Sequence, residues 1–136
     1  VFWHQDVVIP VEERAEIPGF RNWSIKAGVQ HVEAPVSVLQ TMLSVRIHLD
    51  DCGADNGPLC VLPGTHVFGR LDSAAIENYK TNVAARECVA PRGGVILMWP
   101  LLLHASFPAK NPRHRRVIHI DYAGAALPSG LNWQVS

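Results

Sequence analysis

Residues 38–49 read VLQTMLSVRIHL, and their pattern sets the fold class. From Thr41 onward the side chains alternate, with Leu43, Val45, Ile47 and Leu49 on one side and Ser44, Arg46 and His48 on the other. A period of two is the mark of a strand with one face buried. Downstream, the turn-rich DDCGADNGP leads into LCVLPGTH (residues 59–66), a second strand that Pro63 and Gly64 should end. Residues 72–87, DSAAIENYKTNVAARE, make the one convincing helix, with Asp72 or Ser73 as N-cap. CVAP, VILMW, LLLHASF and RVIHIDYA read as further strands, separated by RGG and PAKNPRH. Upstream, the segment from Pro10 to Pro35 reads as irregular, and long loops on β scaffolds often carry function. Many short strands, Gly/Pro turns and one surface helix predict an all-β sandwich or jelly roll.

The chain has 136 residues, enough for one domain with a sizeable core. It opens without a Met and inside an apparent strand, so residues 1–136 read as a single domain whose N-terminal elements lie outside this sequence. Twelve basic residues balance twelve acidic ones, which leaves no global field to attract nucleic acid or an anionic membrane. The KNPRHRR cluster is too short, and too poor in aromatics, to change that. The longest apolar run, VILMWPLLL, falls well short of the roughly 20 residues of a membrane span. Cys52, Cys60 and Cys88 are odd in number and lack CxxC spacing. That argues against a disulfide framework and a zinc knuckle, and suits a reducing cytoplasm.

The chemistry gathers around WHQD, residues 3–6. In an extended strand His4 and Asp6 would project from one face, about 6.7 Å apart, out of an apolar ribbon that includes Phe2, Trp3, Val7, Val8 and Ile9. Burying both without a partner is costly. A metal ion would compensate; a solvated strand edge or a plain His–Asp hydrogen bond is the simpler account. His104 stands in the apolar LLLHAS, where an unpaired imidazole is also expensive. Two histidines and one carboxylate on one face form a triad that leaves positions open on iron, Fe(II), for a co-substrate and O2. Eleven residues after His104, beyond the turn PAKNPR, Arg115 returns to its level. Its guanidinium fork suits a carboxylate, and Ser106, on the face of His104, adds a hydroxyl. Arg113 and Arg116 read as a solvated basic turn.

At these residues the sequence resembles the phytanoyl-CoA dioxygenase family of Fe(II)/2-oxoglutarate oxygenases. Three phrases carry the resemblance in order: WHQD, NGPLCVLPGTH, and GGVILMWPLLLHASFPAKNPRHRRVIHIDYA. It implies a double-stranded β-helix, a cupin-like jelly roll. It also implies iron held by His4, Asp6 and His104, and 2-oxoglutarate held at its far carboxylate by Arg115 with Ser106 assisting. The activity implied is hydroxylation of a small organic substrate with release of succinate and CO2. Related halogenases have a small residue in place of the carboxylate ligand, so Asp6 favours hydroxylation. Gly94 stands where the family often has Asp, a turn variation.

Other positions stay open between roles. Arg46 and His48 share a face and lie where relatives usually carry an apolar or aromatic residue. They either contact substrate in an unusually polar pocket or form an outward polar row. Trp23 and His31, in the segment that would cover the site mouth, are further substrate candidates. His66 either belongs to its turn or lines the pocket, while His114 and His119 default to structure. Phe2, Trp3, Leu102 and Leu103 are candidates for an apolar lining around the metal. The competing function is a non-oxidative cupin-like metal-binding protein, an isomerase or small-molecule binding module. Arg115 and Ser106 weigh against it, because such a site needs no carboxylate fork. The partner expected is a small-molecule substrate, and oligomeric state leaves no trace in the sequence.

Overall fold

The computed structural model describes residues 2–128 and 130–135. Three antiparallel sheets of three strands each make up the fold. β1 (Val8–Val11), β2 (Arg21–Lys26) and β3 (Val29–Glu33) form the first, in the order β1-β3-β2. A one-turn helix, α1 (Val36–Leu39), precedes β4 (Met42–His48), the central strand of the second sheet. Its neighbours are β7 (Val95–Met98) and β9 (Val117–Ala123). The third sheet has β5 (Leu59–Val61) between β6 (Arg86–Cys88) and β8 (His104–Ser106). Helix α2 (Ser73–Asn82) crosses the surface between β5 and β6.

Two of these sheets face each other. Arg46 and His48 of β4 and Val117 and His119 of β9 line one cavity together with Leu59 of β5 and Ser106 of β8. Deeper between them, Leu59, Val61 and Met98 pack as a small core with Cys88, Ile96 and Leu102 at its edge. The larger core lies under the first sheet, where Ile9, Val11, Val32, Leu39 and Leu101 are almost wholly buried. No helix among the described residues is long and apolar enough to cross a membrane. All three cysteines are free, as their spacing predicts.

The strand expected from the opening stretch is present, but its first residues, Val38 and Leu39, belong to α1. The polarity of β4 is also inverted relative to an ordinary half-buried strand. Ser44 and His48 are buried and Arg46 lines the cavity, while Leu49 on the alternate side is 40% exposed. Residues directly opposite in an antiparallel pair share a face. Leu97 and Ile120 flank Val45, Val95 and Ile118 flank Ile47, and Tyr122 pairs with Leu43. The second sheet therefore turns an apolar side outward, with Leu97, Val95, Ile118 and Tyr122 all exposed.

The segment from Pro10 to Pro35 corrects the expectation of an irregular loop. It forms the β2–β3 hairpin, with Lys26 paired to Val29 across Ala27 and Gly28. Both loop residues have positive φ, 50° and 77°, which is the condition for the two-residue turn that matches strand twist. Such turns are usually announced by Asn-Gly or Asp-Gly, and Ala-Gly carries no such signal. Asn22 also has positive φ, 58°, at an irregularity between Arg21 and Ser24, and its side chain donates to Glu33. Helix α2 starts as expected: the Asp72 carboxylate accepts from the Ala75 amide at 2.8 Å. It stops at Asn82, five residues before the expected end, because residues 86–88 pair with β5 instead.

Ala27 pays for its left-handed backbone without the side-chain hydrogen bonding that lets Asn adopt it. Ala27→Asn should raise the unfolding free energy by about 1 kcal/mol in urea titration. An unchanged or lower midpoint would contradict this account of the turn.

Candidate metal centre and the adjoining cavity

His4 and His104 exchange both backbone hydrogen bonds, His4 N to His104 O at 3.0 Å and His104 N to His4 O at 3.1 Å. The WHQD segment thus lies antiparallel beside β8 as a further row of the third sheet. Directly opposed residues face the same way, so the two imidazoles meet, ring centroids 4.2 Å apart. Asp6, two residues on, returns to that face, and its amide is held by Pro100 O at 2.9 Å. His104 Nε2 lies 3.3 Å from Asp6 Oδ2 and His4 Nε2 lies 3.6 Å from Asp6 Oδ1. One ligand atom from each residue falls within 4.8 Å of the others. Bonds of roughly 2.0–2.2 Å meeting near right angles, as in sites of nitrogen and oxygen ligands, put their ends about 3 Å apart. The three side chains fit one cation.

The ring tautomers fit too. His4 Nδ1 is 2.7 Å from Phe2 O, and His104 Nδ1 is 2.8 Å from Leu102 O. A carbonyl only accepts, so each Nδ1 carries the proton and each Nε2 presents a lone pair, the arrangement common to metal-binding histidines. Burial alone would push the Asp6 carboxyl up. Without a metal, a second proton on Nε2 makes these rings imidazolium; the hydrogen bond that His104 then donates and the charges of His104, His4 and His119 outweigh burial and hold the group below its ordinary value. Asp6 is therefore a carboxylate, ready to ligate.

The residue between them has a separate task. Gln5 Nε2 donates to Gly69 O and Leu101 O, both at 2.8 Å, and its Oε1 accepts from Leu71 N at 2.8 Å. These three bonds tie the segment to the loops behind it, and nothing in the sequence reading singled Gln5 out. The expected apolar lining needs correction. Leu103 alternates away from the face of His104 into the core with no exposed surface, and Phe2 is 90% exposed. Trp3, alternating away from His4, meets Phe107 edge-on at 6.1 Å.

Next to the triad lies a cavity of about 290 Å³ lined by Arg46, His48, Cys52, Gly57, Leu59, Ser106, Arg115, Val117 and His119. It brings Ser106 and Arg115 together. It also turns Arg46 and His48 inward and adds His119, so His119 is more than the structural residue expected. Arg113 and Arg116 are engaged elsewhere. Arg113 pairs with Asp55 at 3.0 Å, and Arg116 grips Asp50 through Nε and Nη2 at 3.0 and 2.9 Å. That grip and the Arg116 amide hold the Asp50 carboxyl far below its usual range. Of the two neighbouring arginines, Arg115 is the one in the cavity wall.

Arg115 is held from below. Its Nη1 donates to Asn56 O at 3.1 Å and also to Gly57 O. Buried Asn56 accepts from Arg113 N at 3.1 Å through its Oδ1. Gly57 has φ 60°, and a Cβ there would collide with Arg115 Nη1 and lie 2.6 Å from Phe107 O. The NG of NGPLCVLPGTH therefore seats the guanidinium, a role that the motif alone does not reveal. In the same phrase Thr65 accepts from Leu103 N and donates to Leu62 O, which locks the Pro-Gly turn to the approach of β8.

Trp23 and His31 lie elsewhere. Trp23 packs against the larger core, with the Arg14 guanidinium 5.5 Å above its ring. His31 Nδ1 bonds Val29 O within its own strand. Neither lines the cavity, because the hairpin is a sheet and not a cover draped over the mouth. His66 borders a different groove with Leu39, Gln40, Trp99 and Leu101.

The family model for phytanoyl-CoA dioxygenase (PhyH) matches residues 17–117, about three quarters of the chain. The chain belongs to the phytanoyl-CoA dioxygenase family. The match includes His104, Arg115 and the Asn56-Gly57 seat but stops short of His4 and Asp6. Among solved structures, this chain is similar to AviO1 from Streptomyces viridochromogenes Tue57, with 28% identity and a TM-score of 0.61 over 94% of this chain and 45% of that one. It is also similar to EctD from S. alaskensis, with 26% identity over 62% of this chain and 32% of that one; EctD is known with bound Fe (TM-score 0.55) and with 2-oxoglutarate and 5-hydroxyectoine (TM-score 0.56). EvdMO1, at 24% identity and a TM-score of 0.62, shares the fold over 93% of this chain and 23% of its own. The chain spans less than half the length of each. No curated protein matches it. Family and relatives together support a dioxygenase-type function on a jelly-roll scaffold.

Two outcomes test this geometry. Gly57→Ala should cost about 2–4 kcal/mol in urea unfolding, since it adds left-handed strain to a backbone collision; a loss below about 1 kcal/mol would mean that Arg115 is not seated as described. His48 provides the second. Burial, then the charges of Arg46 and Arg115, hold its imidazole below the ordinary value. The unfolded chain therefore binds a proton that the folded one refuses, and stability falls as pH drops below about 6.5. In metal-free protein, His48→Leu should lose stability less steeply between about pH 6.5 and 5 than the parent.

Proposed function

We propose that this protein is an Fe(II)/2-oxoglutarate-dependent dioxygenase that hydroxylates a small organic substrate. The observation that supports it most is the pairing of two features: three convergent ligands whose two Nδ1 atoms are tied to carbonyls so that both Nε2 atoms turn toward Asp6, and a seated guanidinium in the adjoining cavity. A metal protein of non-oxidative type has no use for the second.

His4, Asp6 and His104 would hold the metal from one side, and their rigid row in the third sheet fixes which side stays open. Iron, when bound, supplies the redox chemistry that couples decarboxylation of the oxo acid to reduction of O2 and oxidation of a substrate C–H bond. Asp6, ionised, offsets part of the charge of a divalent cation. Arg115 binds the far carboxylate of 2-oxoglutarate and so sets the direction in which the oxo-acid end approaches the triad. Ser106, one alternate position beyond His104, faces the same cavity and assists. Leu59 and Val117 cover part of the cavity wall with apolar surface and limit water beside the carboxylate.

Anaerobic loading with Fe(II) and 2-oxoglutarate should give a visible metal-to-ligand charge-transfer band. His104→Ala should abolish that band and the release of succinate. Arg115→Ala should raise the 2-oxoglutarate concentration for half-formation of the band about a hundredfold, the scale of a charged, bidentate contact. Arg116→Ala should leave it within about twofold, as expected for an exposed ion pair. No band in the parent protein would sink the reading.

A further inference from the structure

We propose that Arg46 and His48 form a second arm of the anion clamp, so that the far carboxylate of the oxo diacid is shared between two guanidiniums and an imidazole. This rests on the co-substrate reading above and reassigns two residues that the sequence offered as substrate contacts.

Four observations meet here. Arg46 and His48 occupy the inward face of β4, opposite His119 and Val117 of β9. Both line the cavity that holds Arg115 and Ser106. Arg46 Nε and both ring nitrogens of His48 are buried and have no hydrogen-bond partner among the described residues. His48 keeps only 3% of its surface exposed, so water does not satisfy it from bulk. Buried polar atoms in native proteins nearly always have partners. Arg46 and His48 stand in the wall of one small cavity without a partner among the described residues, and a ligand there that supplies acceptors would engage them.

The charge balance identifies that ligand as an anion. Among the described residues no carboxylate lines the cavity. Asp50, Asp55 and Asp121 are engaged with other groups, Asp50 with Arg116, Asp55 with Arg113, and Asp121 with Ser44 and His119, and Asp6 belongs to the triad. Among the described residues, Arg46 and Arg115 are therefore left without a counter-ion. Arg115, moreover, has already committed Nη1 to the carbonyls of Asn56 and Gly57. It cannot saturate a carboxylate, which has about four acceptor sites. Arg46 supplies the missing donors. His48, kept neutral by burial and by the two guanidiniums, adds one N–H without adding charge.

Arg46 and His48 would then select for a diacid over a monoacid, because their donors meet only the far carboxylate. The test uses the whole protein and two ligands. Under anaerobic Fe(II), 2-oxoglutarate and pyruvate, which has the oxo acid but no far carboxylate, are titrated by the charge-transfer band. Glutarate, which has both carboxylates but no oxo group, is titrated into metal-free protein by calorimetry. Arg46→Leu should weaken 2-oxoglutarate and glutarate roughly ten- to a hundredfold, the range of one or two charge-assisted hydrogen bonds, and leave pyruvate unchanged. Arg46→Lys should recover part of the loss. His48→Leu should weaken the diacids less than Arg46→Leu does. Arg46→Leu binding both diacids like the parent, or weakening pyruvate equally, would overturn the proposal while leaving the oxygenase reading intact. Absence of any band in the parent would instead overturn that reading. Should Arg46→Leu fail to fold, Arg46→Gln and Arg46→Lys carry the same comparison, and equal diacid affinity in both would be the overturning result.

Discussion

Everything in the site hangs on two backbone hydrogen bonds, those exchanged by His4 and His104. They fix register, and in a sheet register decides which way every side chain points. With His4 opposite His104, both imidazoles and Asp6 necessarily face the same way. A slip of one residue would send Gln5 and Trp3 into the site and the ligands into the loops behind. Gln5 opposes such a slip, since its three hydrogen bonds to residues 69, 71 and 101 exist only when it faces backward. The site is thus specified twice, once from each side of the same strand.

A comparable double fixing holds Arg115. The basic run HRR offers two guanidiniums one residue apart, and alternation along the chain sends them in opposite directions. Asp50 captures Arg116 on the outside while the carbonyls of Asn56 and Gly57 receive Arg115 inside. Electrostatics alone would not separate them. The separation comes from a glycine small enough to let a guanidinium lie on its carbonyl.

The convergence of His4, Asp6 and His104 was legible because a histidine within the apolar LLLHAS and a His-x-Asp in an apolar ribbon are conspicuous, whereas Arg115 stood out from the basic KNPRHRR only by its spacing from His104. The order of strands from residue 42 onward was legible through alternation and Pro/Gly stops. The β2–β3 hairpin was not, because its turn uses Ala27 where the informative residue would be Asn or Asp. The end of α2 was misjudged because VAARE has good helical propensity, and only pairing of residues 86–88 with β5 overrides it. Asn56, Gly57 and Gln5 act through backbone carbonyls and amides distant in sequence, which no local pattern encodes. Alternation in β4 gave the two faces correctly but could not say which faced inward. Leu43, Val45 and Ile47 argued for one answer and the cavity required the other.

That inversion has an effect away from the chemistry. The outward side of the second sheet is built from Val95, Leu97, Ile118 and Tyr122, while the chain as a whole has zero formal charge near neutrality. Molecules with no net charge lack the mutual repulsion that keeps concentrated solutions stable. Contacts between copies of this chain therefore favour this greasy flank, which salts excluded from apolar surface strengthen and agents that wet hydrocarbon weaken.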